Sequence, residues 1–165
     1  MNGHRVLWLG RFDSTQKSPE DALDILYRLL TKVPDAQLTM VGEVNEETLS
    51  RFSARAEELG LTEHLSFPGF SNDVFSEYEK ADVFLVTSNF EGYSMVIAER
   101  PACGVPIVCY EMPYLTLVRN STALIQTPWK DFDAAADALA KILNDSELRH
   151  KMGESQRRRQ GSGGA

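Results

Sequence analysis

"RVLWLGRFDSTQKSPEDALDILYRLL", Arg5 to Leu30, decides the fold. It opens on a short apolar run rich in β-favouring residues and halted by Gly10, which reads as a strand. A polar loop follows. Ser18-Pro19-Glu20 then marks a helix start, with Ser as N-cap, Pro at the first helical position and acids in the first turn. Leu23, Leu26, Tyr27, Leu30 and Val33 continue at helical spacing, so a strand, a turn and a helix are complete by Pro34.

The same unit recurs along the chain. "QLTMVG" (37–42) is a second strand, and Asn45 to Leu59 a helix ended by Gly60. "LSFPGF" (65–70) is a short strand and turn, after which Asn72 caps a brief helix to Lys80. "DVFLVTS" (82–88) is the fourth strand, Ser94 to Cys103 a helix ended by Gly104, and "PIVCY" (106–110) the fifth strand. "TALIQT" (122–127) is a candidate sixth strand, and Asp131 to Leu143 and Ser146 to Arg158 are the closing helices. Alternating strands and helices, with strands that lack in-out alternation, predict a mostly parallel six-stranded sheet covered on both faces. The fold class is α/β, a doubly wound Rossmann-like domain over 5–158. Residues 1–4 read as a tag or linker remnant, and 159–165 as a flexible tail.

Composition narrows the function. With 165 residues, 42% apolar and 25% charged, the chain has the makings of one domain with a substantial core. Its net charge of −7 leaves no electrostatic footprint for nucleic acid. Arg157-Arg158-Arg159 is a solvated helix end or a weak contact for anionic lipid. No apolar run reaches membrane-span length, and the N-terminus lacks the apolar core of a signal peptide. Cys103 and Cys109 lack metal-site spacing and read as reduced core residues of a cytoplasmic protein. His4, His64 and His150 fall outside every motif and read as surface residues.

In a doubly wound sheet, ligands bind beyond the carboxyl ends of the strands. The loops there are "GRFDSTQKSPE" (10–20), "PGFSND" (68–73) and "TSNFEGYS" (87–94), all polar, short and glycine-containing. In the first, Gly10 permits a turn, and the fork of Arg11 and point charge of Lys17 can clamp a diphosphate from two sides. The competing reading pairs Arg11 with Asp13 and leaves Lys17 in solvent. Neither GxxxxGK[ST] nor GxGxxG is present, which removes support for ATPase and nicotinamide readings. In the third loop, Gly92-Tyr93-Ser94-Met95 leads into a helix whose first amides attract an anion. Glu91 and Glu99 are acceptor-only groups suited to vicinal hydroxyls. The alternative makes Glu91 a charge at a helix start and Glu99 a solvated face residue.

Taken in order, "GRFDSTQK", "MVGE", "FPGF", "SNFEGYSMVIAE" and "ACGVPIVCYEMP" resemble the C-terminal, donor-binding domain of GT-B-fold, family-4-type retaining glycosyltransferases, from about Arg5 to Leu143. The resemblance implies that Arg11 and Lys17 bind the donor diphosphate and stabilise the departing nucleotide. It implies that Glu91 meets the donor sugar and Glu99 the nucleotide ribose. Gly92, Tyr93, Ser94, Met95 and Val96 then form the turn and helix start facing sugar and phosphates, and Gly69 and Phe70 lie against the base. No metal and no cofactor is implied, with a nucleoside-diphosphate sugar as substrate. The partners implied are that donor and an N-terminal acceptor-binding domain, so the chain reads as an excised half. Nucleic acid is not expected, and any membrane association would come through the other half. The sequence departs from the pattern at Arg100-Pro101, where small or apolar residues usually follow the second glutamate, and "NSTALIQT" lacks a usual glycine. These departures leave two alternatives open: a non-catalytic nucleotide- or partner-binding module of the same fold, and a GT-B-fold sugar-nucleotide epimerase.

Overall fold

The computed structural model describes residues 4–89, 104–111 and 124–161, with side chains through Glu154. Its centre is a six-stranded sheet of β1 (Arg5–Leu9), β2 (Gln37–Val41), β3 (Leu65–Gly69), β4 (Val83–Val86), β5 (Ile107–Tyr110) and β6 (Leu124–Thr127). Every pairing is parallel, and the order is β3-β2-β1-β4-β5-β6. The helices are α1 (Pro19–Leu29), α2 (Glu46–Glu58), α3 (Val74–Glu79), α4 (Phe132–Asn144) and α5 (Ser146–Gly161). The last runs past Arg158, where the sequence puts its end. The expected helix from Ser94 to Cys103 lies outside the described residues.

The sheet is parallel because each strand returns through a crossover, and its apolar runs are explained by burial on both faces. Val6, Trp8, Leu38, Met40, Val83, Leu85 and Val108 share one core with α1, α2 and α4. Leu7, Val41, Phe84, Val86, Ile107 and Cys109 point the other way and pack with Tyr78 of α3. Each fully buried large side chain contributes about 1.5–3 kcal/mol. β3 is an edge strand with alternating exposure, which is why it tolerates Pro68.

Three local expectations need correction. On α1 the buried residues are Pro19, Asp21, Ala22, Leu23, Ile25, Leu26 and Leu29, whereas Tyr27 is 51% exposed. The inward stripe therefore includes Ile25 and Leu29, with Leu30 partly buried against the same core, and leaves out Tyr27. α3 is capped by Asp73, which accepts from the Ser76 amide at 3.1 Å, and not by Asn72. Ser71 explains the shift, because its hydroxyl accepts from the Asp73 amide at 3.2 Å and sets the turn one residue later. Ser18 occupies the N-cap position of α1 without capping it. Its backbone is left-handed (φ 44°, ψ 57°), which turns the hydroxyl away from the first amides. The other starts are regular: Asn45 accepts from Thr48 at 2.8 Å and Asp131 from Ala134 at 2.9 Å.

Two close ties cross the sheet's carboxyl edge. A Cβ on Gly42 would stand 1.9 Å from the Gly10 carbonyl oxygen, so the chain after β2 presses on the chain after β1. The second tie is polar. The buried Tyr110 hydroxyl at the end of β5 donates to Asp21 Oδ2 of α1 at 2.8 Å. Burial first, and the Asp21 carboxylate second, push the Tyr110 hydroxyl well above its ordinary pKa of 10.0.

Gly42→Ala should cost about 1–3 kcal/mol in urea unfolding, since backbone rather than a movable side chain blocks the methyl; wild-type stability would contradict this contact. For Tyr110, a folded pKa above the unfolded value gives stability that is complete below pH 10.0 and lost as pH rises beyond it. The loss is at most about 1.4 kcal/mol per pH unit. Tyr110→Phe should abolish that alkaline component, and an unchanged slope between pH 9 and 11 (roughly the window set by the linkage) would refute it.

Candidate active site

The strand order reverses direction between β1 and β4. From β1 the chain moves through α1 to β2, whereas β5 lies on the opposite side of β4. In a sheet of this kind the ligand crevice is expected at the carboxyl ends of these two neighbours. Of the loops singled out from the sequence, the one at 10–18 and the first residues of the one after β4 meet here.

The 10–18 loop is anchored before it is functional. Phe12 turns inward and packs edge-on against Trp8 and Phe52, with ring centroids 5.3 Å apart in each pair. Arg11, its neighbour, is left exposed. The Asp13 carboxylate accepts from the Thr15 amide at 2.8 Å, and the Asp13 carbonyl accepts from the Lys17 and Ser18 amides at 2.9 and 3.1 Å. An Arg11–Asp13 ion pair, the competing reading of this loop, is not among those of the described residues. Lys17 lays its stem across Gly10, where an added Cβ would meet Lys17 Cδ at 3.3 Å.

β4 holds the far side of the loop. The buried Thr87 hydroxyl accepts from the Trp8 indole N–H at 2.9 Å. It shares its own proton between the carbonyls of Lys17 and Ser18, at 2.8 and 3.0 Å. The Asn89 amide donates to the Gln16 carbonyl at 2.7 Å, and its side-chain nitrogen reaches the Thr15 carbonyl at 2.9 Å and Ser18 Oγ at 2.7 Å. The Thr15 to Ser18 stretch, with Lys17 in it, is thus held at the point where the β4 loop departs. That loop's Glu91, Gly92, Tyr93, Ser94, Met95, Val96 and Glu99 lie outside the described residues.

Along the same edge, Gly10, Gly42 and Gly69 form a row. The Gly10 amide donates to Val41 at 3.1 Å, and the Gly42 amide to Gly69 at 3.0 Å. Gly69 has φ +89°, a left-handed turn that projects Phe70 outward at 75% exposure. The row brings two predicted site glycines together and adds Gly42.

Sequence reasoning missed a polar cluster at the crevice wall. Lys130 Nζ lies 2.8 Å from Asp21 Oδ2 and 3.2 Å from Ser18 Oγ, and the exposed Trp129 donates from its indole to Asn89 Oδ1 at 3.1 Å. Asp21 is only 6% exposed. Its signal was present, because Asp21, Ile25 and Leu29 share a face at helical spacing. Lys130 carried none, since its left-handed backbone (φ 61°) follows from tertiary context. A non-glycine residue there costs about 1–2 kcal/mol.

A second cavity, of about 280 Å³, lies between α1 and α2 and is lined by Glu20, Leu23, Asp24, Arg51, Phe52 and Arg55. Its arginines face its own acids, Arg51 to Glu20 at 3.8 Å and Arg55 to Asp24 at 3.6 Å. It sits between helices rather than at the strand ends, and it is not the candidate site.

Residues 2–159 match the family described as Glycosyl transferases group 1. A phosphatidyl-myo-inositol mannosyltransferase of Mycobacterium leprae is 31% identical over 153 residues, 90% of this chain and 40% of that protein. A D-inositol 3-phosphate glycosyltransferase of Corynebacterium jeikeium is 31% identical over 146 residues, 84% of this chain and 35% of that protein. Among solved structures, sucrose-phosphate synthase from Thermosynechococcus elongatus superposes with a TM-score of 0.80 at 25% identity, covering 96% of this chain and 40% of its own. Anabaena HepE, solved in complex with UDP-glucose, superposes with a TM-score of 0.82 at 20% identity, covering 94% and 43%. The chain spans about two fifths of the length of these relatives. With the parallel sheet, the β1–β4 crevice and this match along nearly its whole length, the chain belongs to the group 1 glycosyl transferases, as a Rossmann-like domain of the GT-B kind.

Proposed function

We propose that this domain holds the nucleoside-diphosphate sugar of a retaining hexosyltransferase, whose acceptor enters from a second domain. The observation that carries the reading is the anchoring of the Thr15 to Ser18 backbone by Thr87 and Asn89, which holds Lys17 of the 10–18 loop beside the end of β4 in an acidic protein. A cation fixed before binding costs no reorganisation when charge develops on the leaving diphosphate. Arg11 would take two phosphate oxygens with its planar fork, and Lys17 would meet the same group as a point charge.

In this reading the Gly10–Gly42–Gly69 row gives the ligand a backbone-lined floor, and Phe70 offers an exposed ring to the base. Glu91 takes the sugar hydroxyls and Glu99 the ribose. Gly92, Tyr93, Ser94, Met95 and Val96 provide the amides of a helix start. No bound metal is needed, because Arg11, Lys17 and that helix end supply the positive field. Closure against the second domain would exclude water and bring the acceptor hydroxyl to the anomeric carbon. The domain alone would bind nucleotide weakly and transfer little or no sugar.

The test is calorimetric titration of the chain with UDP, GDP and ADP. At least one should bind, and Lys17→Ala and Arg11→Ala should each weaken it about tenfold or more, the value of one lost charge-assisted contact. Absence of binding by all three nucleotides at millimolar concentration (roughly −4 kcal/mol), or unchanged affinity in both variants, would overturn the proposal.

A further inference from the structure

Among the described residues, Ser18 and Lys130 are the non-glycine positions with positive φ, at 44° and 61°. They are distant in sequence, yet Lys130 Nζ lies 3.2 Å from Ser18 Oγ. Two strained residues in contact point to a shared role, because such backbone persists only where its surroundings over-determine it. We propose that Lys130 is a positioning residue for the loop carrying Arg11 and Lys17, acting through Ser18 and Asp21. This rests on the donor-binding reading of that loop.

Pro19 disfavours the right-handed region for Ser18, and the left-handed turn aims its hydroxyl toward β4 and β6. There Ser18 Oγ donates to the Ser14 carbonyl at 3.2 Å and accepts from Asn89 and Lys130. Lysine is a poor occupant of a left-handed position that glycine or asparagine fills at less cost. The ammonium supplies the compensation. It reaches Asp21 Oδ2 at 2.8 Å, where the Tyr110 hydroxyl also donates at 2.8 Å.

Trp129, the preceding residue, holds Asn89 Oδ1 at 3.1 Å. One turn between β6 and α4 therefore grips both Ser18 and its partner Asn89. Lys17 inherits the restraint, because its carbonyl and that of Ser18 share the Thr87 hydroxyl. The contact also sets a positive charge against Asp21, which otherwise places a buried carboxylate under a loop meant to receive an anion. Lys130 thus acts on Lys17 through Ser18.

The experiment is a double-mutant cycle on the chain, read by calorimetry with whichever of UDP, GDP and ADP binds most tightly. Lys130→Gly removes the ammonium and relaxes the backbone; Lys130→Asn, which also tolerates a left-handed conformation, is the second variant. Each should weaken nucleotide binding about fivefold or more. In the Lys17→Ala background the same change should add less than about twofold, because the two residues act as one unit. Hydrogen exchange supplies a readout independent of ligand. The Ser18 and Asn89 amides should lose protection while Val108 in β5 keeps its own.

Additive effects, unchanged affinity, uniform loss of protection, or unfolding of both Lys130 variants would overturn the proposal. If Lys17→Ala binds as wild type does, the donor reading of the loop fails instead. The exchange data would then still decide whether Lys130 holds the loop.

Discussion

The Thr87 hydroxyl is where this structure is joined. A buried oxygen must satisfy its hydrogen-bonding capacity inside the protein or carry a desolvation cost of about 1–3 kcal/mol. Thr87 accepts from Trp8 of β1 and faces the carbonyls of Lys17 and Ser18, so one side chain of the β4 edge ties strand, loop and helix start together. The parallel sheet brings the partners of that junction together. β1 and β4 are neighbours, and Thr87 at the end of β4 bonds both β1 and the loop that follows it. The candidate site and the local stability of the first loop are therefore the same set of contacts.

Much of the architecture was legible because it rests on period and punctuation. Strand runs such as Val83–Val86 are apolar on both faces, and Asn45 and Asp131 cap helices as their residue types suggest. The misreadings have a common cause. Ser18 and Asn72 are good cap residues by type, but backbone conformation sends the Ser18 hydroxyl to other partners, and a Ser71 turn leaves the cap of α3 to Asp73. Tyr27 fits the helical spacing and still faces solvent, because a stripe's centre depends on where the helix docks.

For the site, the sequence yielded the residues that carry charge and left out those that hold them. Arg11 and Lys17 stand out by spacing and residue type. Thr87, Asn89 and Lys130 do not, since their importance is created by pairings such as Asn89 with Ser18 and Lys130 with Asp21, which lie far apart in the chain. Gly42 falls between these cases. It sits in the quoted "MVGE" run, but its near contact with the Gly10 carbonyl, rather than a left-handed φ, is what requires glycine. A charge motif survives as a motif; its support is a property of the fold.

The central claim is that the β1–β4 crevice receives a nucleoside diphosphate through Arg11 and Lys17. A crystal structure of the chain bound to UDP, GDP or ADP tests it most directly. The account predicts a diphosphate within hydrogen-bond reach of Lys17 Nζ and the Arg11 guanidinium, beside Gly10. A nucleotide seated between α1 and α2 against Arg51 and Arg55, with the crevice empty, would contradict it.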